Sequence, residues 1–282
     1  MNVDYPFLKG HGTENDFVLL PDHDGSVHGQ LAPERVRALC DRRAGIGGDG
    51  VLRVIRRAAV GSAGERQDAE WFMDYINADG STAQMCGNGI RVFGRHLAQQ
   101  GLIDPSAPVP IATRAGTKTL VFADGAVDGE ITVDMGPPQV LGGTKVAIGD
   151  RSWSALHVDM GNPHAVVFLE EGADLAGVGA LRQAPEHDSE VYPHGVNVEF
   201  VVRRGPRHVA MRVHERGSGE TRSCGTGACA VLVATALADE APRTTDYRID
   251  LPGGTLRLSW TAENRVLMSG PAVVVAAGVT SL

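Results

Sequence analysis

The chain has 282 residues, 43% of them hydrophobic and 21% charged, and a formal net charge of −8. This is the composition of a globular protein long enough for two ordinary domains, and it excludes a disordered chain. The acidic balance contains no block of like charge, so there is no footprint for a phosphate backbone and nucleic acid is not an expected partner.

The chain opens on MNVDYPFLKGHGT, where no basic start precedes an apolar core, so no secretory signal is expected. FVLL at 17–20 reads as a strand, and a helix over 33–43 begins with Pro33 in its first turn. Strands follow at 51–56 (VLRVIR) and 70–77 (EWFMDYIN). A turn, QMCGNGIRV at 84–92, then leads into a helix over about 88–100. KTLVFA (118–123) and EITVDM (130–135) form a hairpin through a Gly-bearing turn, and strands are predicted at 154–160 and 164–169. A helix over 174–184 is interrupted by glycines. VNVEFVV (196–202) and HVAMRVHE (208–215) precede a second cysteine turn, RSCGTGACA at 222–230, and a helix over about 226–239. YRIDL (247–251) and TLRLSW (255–260) read as a hairpin, and AVVVAA (272–277) as a last strand. The longest apolar run, near 228–238, is shorter than the roughly 20 residues of a membrane span, so no membrane is expected and the cytoplasm is the expected location.

The two cysteine-turn helices differ. ACAVLVATALA is apolar all round and should be enclosed by a curled sheet. The helix over 88–100 carries Arg91, Arg95 and His96 and should be less enclosed. Their settings nevertheless repeat. GHGTENDF with Asn15 matches DMGNPHAVVF with Asn162, GIGGDGVLRV matches HGVNVEFVV, and strands then run into Asn77 or Glu215 before C-G-x-G recurs. Chemically distinctive residues in one order at a nearly constant offset argue for duplicated domains.

A cysteine at a helix N-terminus faces unpaired N–H groups and the positive end of the dipole, which should lower its pKa from about 8.5 toward neutrality. The same ends, with Gly87 and Asn88 and with Gly225 and Thr226, form anion sites. Facing each other across a domain interface, they would clamp one carboxylate and put a thiol on each side of the attached carbon. One thiolate would remove an α-proton while the other thiol delivers one, and the bound carboxylate would take the developing charge. Cys40 and Cys229 read as packing residues. Cys224 and Cys229 have poor zinc spacing and no C-x-x-C occurs, so neither a metal nor a redox pair is expected, and no cofactor motif is evident.

GTENDF, RRAGIGGDGV, NADGSTAQMCGNG, MGNPH, GVNVEF and ERGSGETRSCGTGACA, in that order, make the whole chain resemble the diaminopimelate epimerases, a pyridoxal-independent family. The resemblance implies an α/β fold of α+β type. Two pseudo-symmetric domains, 1–134 plus 271–282 and 135–270, would each wrap a β-barrel-like sheet round a central helix, with the active site in the cleft between them. It implies interconversion of L,L- and meso-diaminopimelate, for lysine and peptidoglycan precursors, without cofactor or metal. Cys86 and Cys224 would be the catalytic pair, with Gly87, Asn88, Gly225 and Thr226 on the reacting carboxylate. Asn15, Asn77, Asn162, Asn197 and Arg216 would grip the distal amino-acid end. Glu215 would bind an ammonium group and, with His164, tune the thiols. Taken singly, each Asn reads as a turn former and Glu215–Arg216 as a solvated pair. Many relatives carry Gln where this chain has Gly50. Some place a Tyr at their dimer interface where this chain has Ala276, so a homodimer is expected without that contact. The competing readings are a proline or hydroxyproline epimerase, whose cyclic substrate has no distal zwitterion, and, outside enzymes, a thiol redox sensor or amino-acid-binding protein.

Overall fold

A computed structural model describes residues 4–60 and 68–282; residues 1–3 of the N-terminal stretch read for a signal lie outside it. The chain divides into two units, Met1–Val133 with Gly270–Leu282, and Asp134–Ser269.

The first unit contains strands β1 (Tyr5–Gly12), β2 (Asn15–Pro21), β3 (Gly50–Arg56), β4 (Trp71–Asn77), β5 (Val109–Thr113), β6 (Gly116–Phe122) and β7 (Ile131–Gly136), with the C-terminal strand Val273–Thr280. Helix α1 (Pro33–Cys40) lies between β2 and β3, and α2 (Gly87–Gln99) between β4 and β5. The C-terminal strand pairs with β1, and β1 through β7 follow in chain order. Among the described residues of this unit, parallel pairing occurs only at β2–β3 and β4–β5, the two places where a helix makes the crossover.

The second unit contains β8 (Gln139–Ile148), β9 (Arg151–Asp159), β10 (Pro163–Phe168), β11 (Glu186–His187), β12 (Asn197–Gly205), β13 (His208–Glu215), β14 (Gly219–Thr221), β15 (Asp246–Leu251), β16 (Gly254–Trp260) and β17 (Val266–Gly270), with helix α3 (Gly225–Ala238). Its principal strands run β8–β9–β10–β12–β13–β15–β16–β17, with parallel pairing only at β10–β12 and β13–β15. Strand for strand this is the order of orientations in the first unit, and α3 stands between β13 and β15 as α2 stands between β4 and β5. The duplication is a property of the topology.

Each central helix is enclosed by its own sheet. α2 packs on β1 to β4 and the C-terminal strand; α3 packs on β9, β10, β12, β15 and β16. The central strands are buried on both faces, which is why they read as continuous apolar runs. Phe17, Val18, Leu19 and Leu20 of β2 are all 0% exposed. Val18 and Leu20 join Val51 and Ile76 in a cluster with Val36, Leu39 and Cys40 of α1. Cys40 is thus packing, as is Cys229 on α3. Among the described residues no helix is long and apolar enough to cross a membrane.

Two helix expectations are corrected. The segment 174–184 holds only a 3-10 turn, Leu175–Val178, ended by Gly179 at φ 87°. α2 is no less enclosed than α3: Arg91, Arg95 and His96 are 0%, 3% and 3% exposed. The guanidinium groups are tolerated because backbone carbonyls accept from them. Arg91 Nε donates to Pro271 O, and Arg95 donates to Ala272 O at 3.0 Å and Gly129 O at 2.5 Å. These bonds tie the returning C-terminal segment to α2. The strands Tyr5–Gly12, Val109–Thr113, Gln139–Ile148 and Val266–Gly270 were not predicted; they contain Gly or Pro, or are exposed.

Candidate active site

In the first unit Cys86 is the N-cap of α2. Its backbone is extended (φ −141°, ψ 122°) and its sulfur accepts the Gly89 N–H at 3.4 Å. A thiol here does the work usually done by a Ser or Asp cap. Cys86 Sγ donates to Asn15 Oδ1 at 3.5 Å, and Asn88 Nδ2 donates to the same oxygen at 3.2 Å. Asn15 Nδ2 in turn donates to Asp49 Oδ2 at 2.7 Å, and Arg91 donates to Asn88 Oδ1 at 2.8 Å. Asn15 follows the two-residue β1–β2 turn of Thr13 and Glu14, both at positive φ (49° and 61°). Such a φ is unusual for a β-branched residue, and Thr13 is held there by burial, with its hydroxyl 3.5 Å from Asn88 Oδ1.

Cys86, Asn88 and Asn15 are therefore one bonded group, with Gly87 in the first turn of α2. Asn77 ends β4, pairs in register with Gly50, and donates to Ser81 Oγ at 3.0 Å. A Cβ on Gly50 would lie 2.6 Å from both Ile76 O and the Tyr75 ring. The backbone here has no room for a side chain at this position.

In the second unit Cys224 caps α3 in the same way (φ −124°, ψ 112°), accepting the Gly227 N–H at 3.4 Å. Thr226 Oγ1 is 3.6 Å from the sulfur and accepts from Asn162 Nδ2 at 3.3 Å. Asn162 Oδ1 is 3.2 Å from His164 Nε2, and His164 Nδ1 is 2.7 Å from Glu199 Oε1. Glu215, at the end of β13, is half-buried, accepts from Thr221, and is hydrogen-bonded to the Cys224 thiol. Burial pushes the Glu215 carboxyl up, with the bonds from Thr221 and Cys224 acting against it.

The electrostatics correct one expectation. Helix-cap geometry was expected to lower both thiols, yet Cys224 is held well above the usual thiol range. Burial is the largest cause, followed by the charges of Glu215 and Glu199, and these outweigh the Gly227 N–H. Asn197 is buried and its Oδ1 accepts the Arg216 N–H at 2.8 Å, whereas the Arg216 side chain is exposed, with Nη1 3.2 Å from His194 O. Asp49, Arg91, Glu199 and Thr221 were missed from sequence. All four lie inside motifs quoted above, Arg91 in QMCGNGIRV.

The duplicated strand-and-helix units have an architecture shared with solved structures. One is a phenazine biosynthesis protein of the PhzF family from Bacillus anthracis, at TM-score 0.71 and 16% identity over 99% of both chains. Another is a hydroxyproline epimerase from Agrobacterium vitis, at TM-score 0.69 and 16% identity over 98% of this chain and 92% of that one. These likenesses define the fold class. The family model described as diaminopimelate epimerase matches residues 7–141 and 156–275. A diaminopimelate epimerase from Streptomyces coelicolor is 54% identical over 99% of this chain and 96% of its own length. One from Corynebacterium aurimucosum is 46% identical over 98% and 99%. The chain belongs to the diaminopimelate epimerase family.

Proposed function

We propose that the protein interconverts L,L- and meso-diaminopimelate by a two-base mechanism, with one thiol drawn from each unit and no pyridoxal phosphate or metal. The observation that carries the reading is the repetition of one device, a cysteine capping a central helix through the second glycine of C-G-x-G, in both halves of a chain of this family. A thiolate on one face takes the α-proton and the opposing thiol returns one to the other face, so the configuration inverts and the reaction is reversible. The N–H groups of Gly87 and Asn88, and of Gly225 and Thr226, hold the reacting carboxylate and stabilise the charge that develops as the proton leaves. Glu215 binds an ammonium group and exchanges a proton with Cys224, to which it is bonded; His164 lies behind it. Asn15, Asn77, Asn162, Asn197 and Arg216 recognise the distal amino-acid end, whose carboxylate requires the exposed Arg216 to turn inward.

On this reading the units are the two epimerase domains, 1–134 with 271–282 and 135–270, and the enzyme is a cytoplasmic homodimer serving lysine biosynthesis. Proline or hydroxyproline would leave Arg216 and the distal Asn set without a partner. The test is purified protein with L,L-diaminopimelate in D2O, followed by chiral chromatography and mass spectrometry. Meso product bearing α-deuterium, without added pyridoxal phosphate, is expected. Turnover of proline but not diaminopimelate would overturn the assignment, and activity lost to a chelator and restored only by metal would overturn the mechanism.

A further inference from the structure

Glu199 is fully buried, as is His164, whose Nδ1 lies 2.7 Å from its Oε1. Its other oxygen, Oε2, is buried without a hydrogen-bond partner among the described residues. Burying an ionisable pair with one oxygen left over costs stability that well-packed hydrocarbon of similar volume would not.

The first unit shows that the fold does not need it. β2 and β3 pair in parallel with Phe17 opposite Gly50, and β10 and β12 pair in parallel with His164 opposite Asn197. His164 and Glu199 therefore stand where the first unit has Phe17 and Leu52. The glycines of the two caps record the same exchange. A Cβ on Gly89 would meet Leu52 Cδ2 at 3.3 Å and Phe17 Cζ at 3.4 Å, whereas one on Gly227 would meet Glu199 Oε1 at 2.8 Å. From Glu199 the bonds run without interruption: His164 Nδ1, then His164 Nε2 to Asn162 Oδ1, Asn162 Nδ2 to Thr226 Oγ1, and Thr226 Oγ1 to Cys224 Sγ.

We propose that Glu199 is a positioning residue for the proton chemistry of Cys224: by accepting the Nδ1 proton of His164 it fixes the ring's plane and aims the Nε2 proton at Asn162 Oδ1, and through Asn162 it sets the hydroxyl of Thr226 that touches the thiol. Neither the carboxylate nor the Asn162 amide oxygen can donate, so the unbroken chain has a proton on both Nδ1 and Nε2, and the ring is held edge-on between two oxygens. The logic is that of a buried acid orienting a histidine in a hydrolase triad, applied here to a histidine that acts on its neighbour through a hydrogen-bond chain. The kinetic consequence rests on the epimerase reading; the Nδ1–H bond to Glu199 does not.

The test uses the full-length enzyme with 15N-labelled histidine, with His164→Gln to assign the resonances. In the wild type both ring nitrogens of His164 should be protonated, with the Nδ1 proton strongly downfield; in Glu199→Gln that proton should lose its downfield shift while circular dichroism is unchanged. Glu199→Gln should lower kcat about tenfold or more with KM little changed. The double variant His164→Gln/Glu199→Gln should be no slower than His164→Gln alone, because Glu199 acts through His164. An unprotonated Nδ1 in the wild type, a wild-type kcat in Glu199→Gln, or costs that multiply in the double variant would each overturn the proposal. If Glu199→Gln fails to fold, the wild-type nitrogen spectrum decides. A wild type that does not turn over diaminopimelate removes the epimerase reading, and the same spectrum still decides the role of Glu199.

Discussion

The surroundings of Cys86 and Cys224 are built on one strand plan and differ in chemistry. Behind Cys86 the corresponding positions are hydrocarbon, Phe17 and Leu52, and the polar groups lie to one side, in Asn15, Asn88, Asp49 and Arg91. Behind Cys224 lie the His164–Glu199 pair and Glu215, all ionisable. The two helix caps have the same geometry, and at Cys224 burial, then Glu215, then Glu199 hold the thiol up. The cap positions the sulfur; burial and neighbouring charge determine how readily it ionises.

The comparison breaks first at the thiols themselves. Cys86→Ala and Cys224→Ala should each lower epimerisation by about a thousandfold or more, since each removes a proton carrier from one face. Cys40→Ala and Cys229→Ala should keep turnover and lose only packing stability. Steady-state kinetics beside a melting curve check both; loss of turnover in a folded Cys229→Ala would dissolve the division into catalytic and packing cysteines.

A sharper reading comes from alkylation. The thiolate is the reactive form, Cys86 is partly exposed, and Cys224 is 5% exposed with its thiol pushed up. Timed iodoacetamide treatment with peptide mass mapping should modify Cys86 about tenfold or more faster than Cys224. Cys40, whose thiol burial raises to about 11, should lag behind Cys86 as well. Equal rates at Cys86 and Cys224 would show that the two environments are not functionally distinct.

Arg216 belongs to the second unit alone, and no arginine follows Asn77 at the matching place. A hydrogen bond to a charged group contributes about 1.5–3 kcal/mol, and the exposure of Arg216 puts it at the lower end. Arg216→Met should therefore raise KM about tenfold with kcat nearly unchanged. An unaltered KM for diaminopimelate would remove Arg216 from the distal site.

The smallest effect separates the units by the degree of acid sensitivity. In the first unit His28 and His96 are both lowered to about 4, chiefly by burial, and in the second His157 and His214 are lowered in the same direction by the same cause. His28 and His96 are neutral in the folded state, while the unfolded chain takes up protons below about 6.5. Their contribution to stability is thus complete above pH 6.5, erodes as the pH falls, and is gone below about 4. Hydrogen exchange at pH 5 against pH 7 should show protection lost earlier in β2, α1 and α2 than in α3. His96→Asn, which cannot titrate, should weaken the difference; an unchanged pH dependence would exclude His96 as its source.

Much of this molecule is legible from the chain because its signals are local. The cysteine before Gly-x-Gly caps a helix at both places in this chain, since the cap is made by residues three apart. Apolar runs such as FVLL and VLRVIR carry their burial in their composition. Strands such as Tyr5–Gly12 and Gln139–Ile148 do not, for they are strands only because partners accept and donate along their length. Arg91 reads as a surface residue until distant carbonyl and amide oxygens are brought to it. The basicity of Cys224 reads as a helix-end effect until folding places Glu215 and Glu199 beside it and removes water. Local geometry follows from neighbours in the chain; the energy of a charge follows from everything within a few ångströms, and for Glu199 its nearest partner lies 35 residues away.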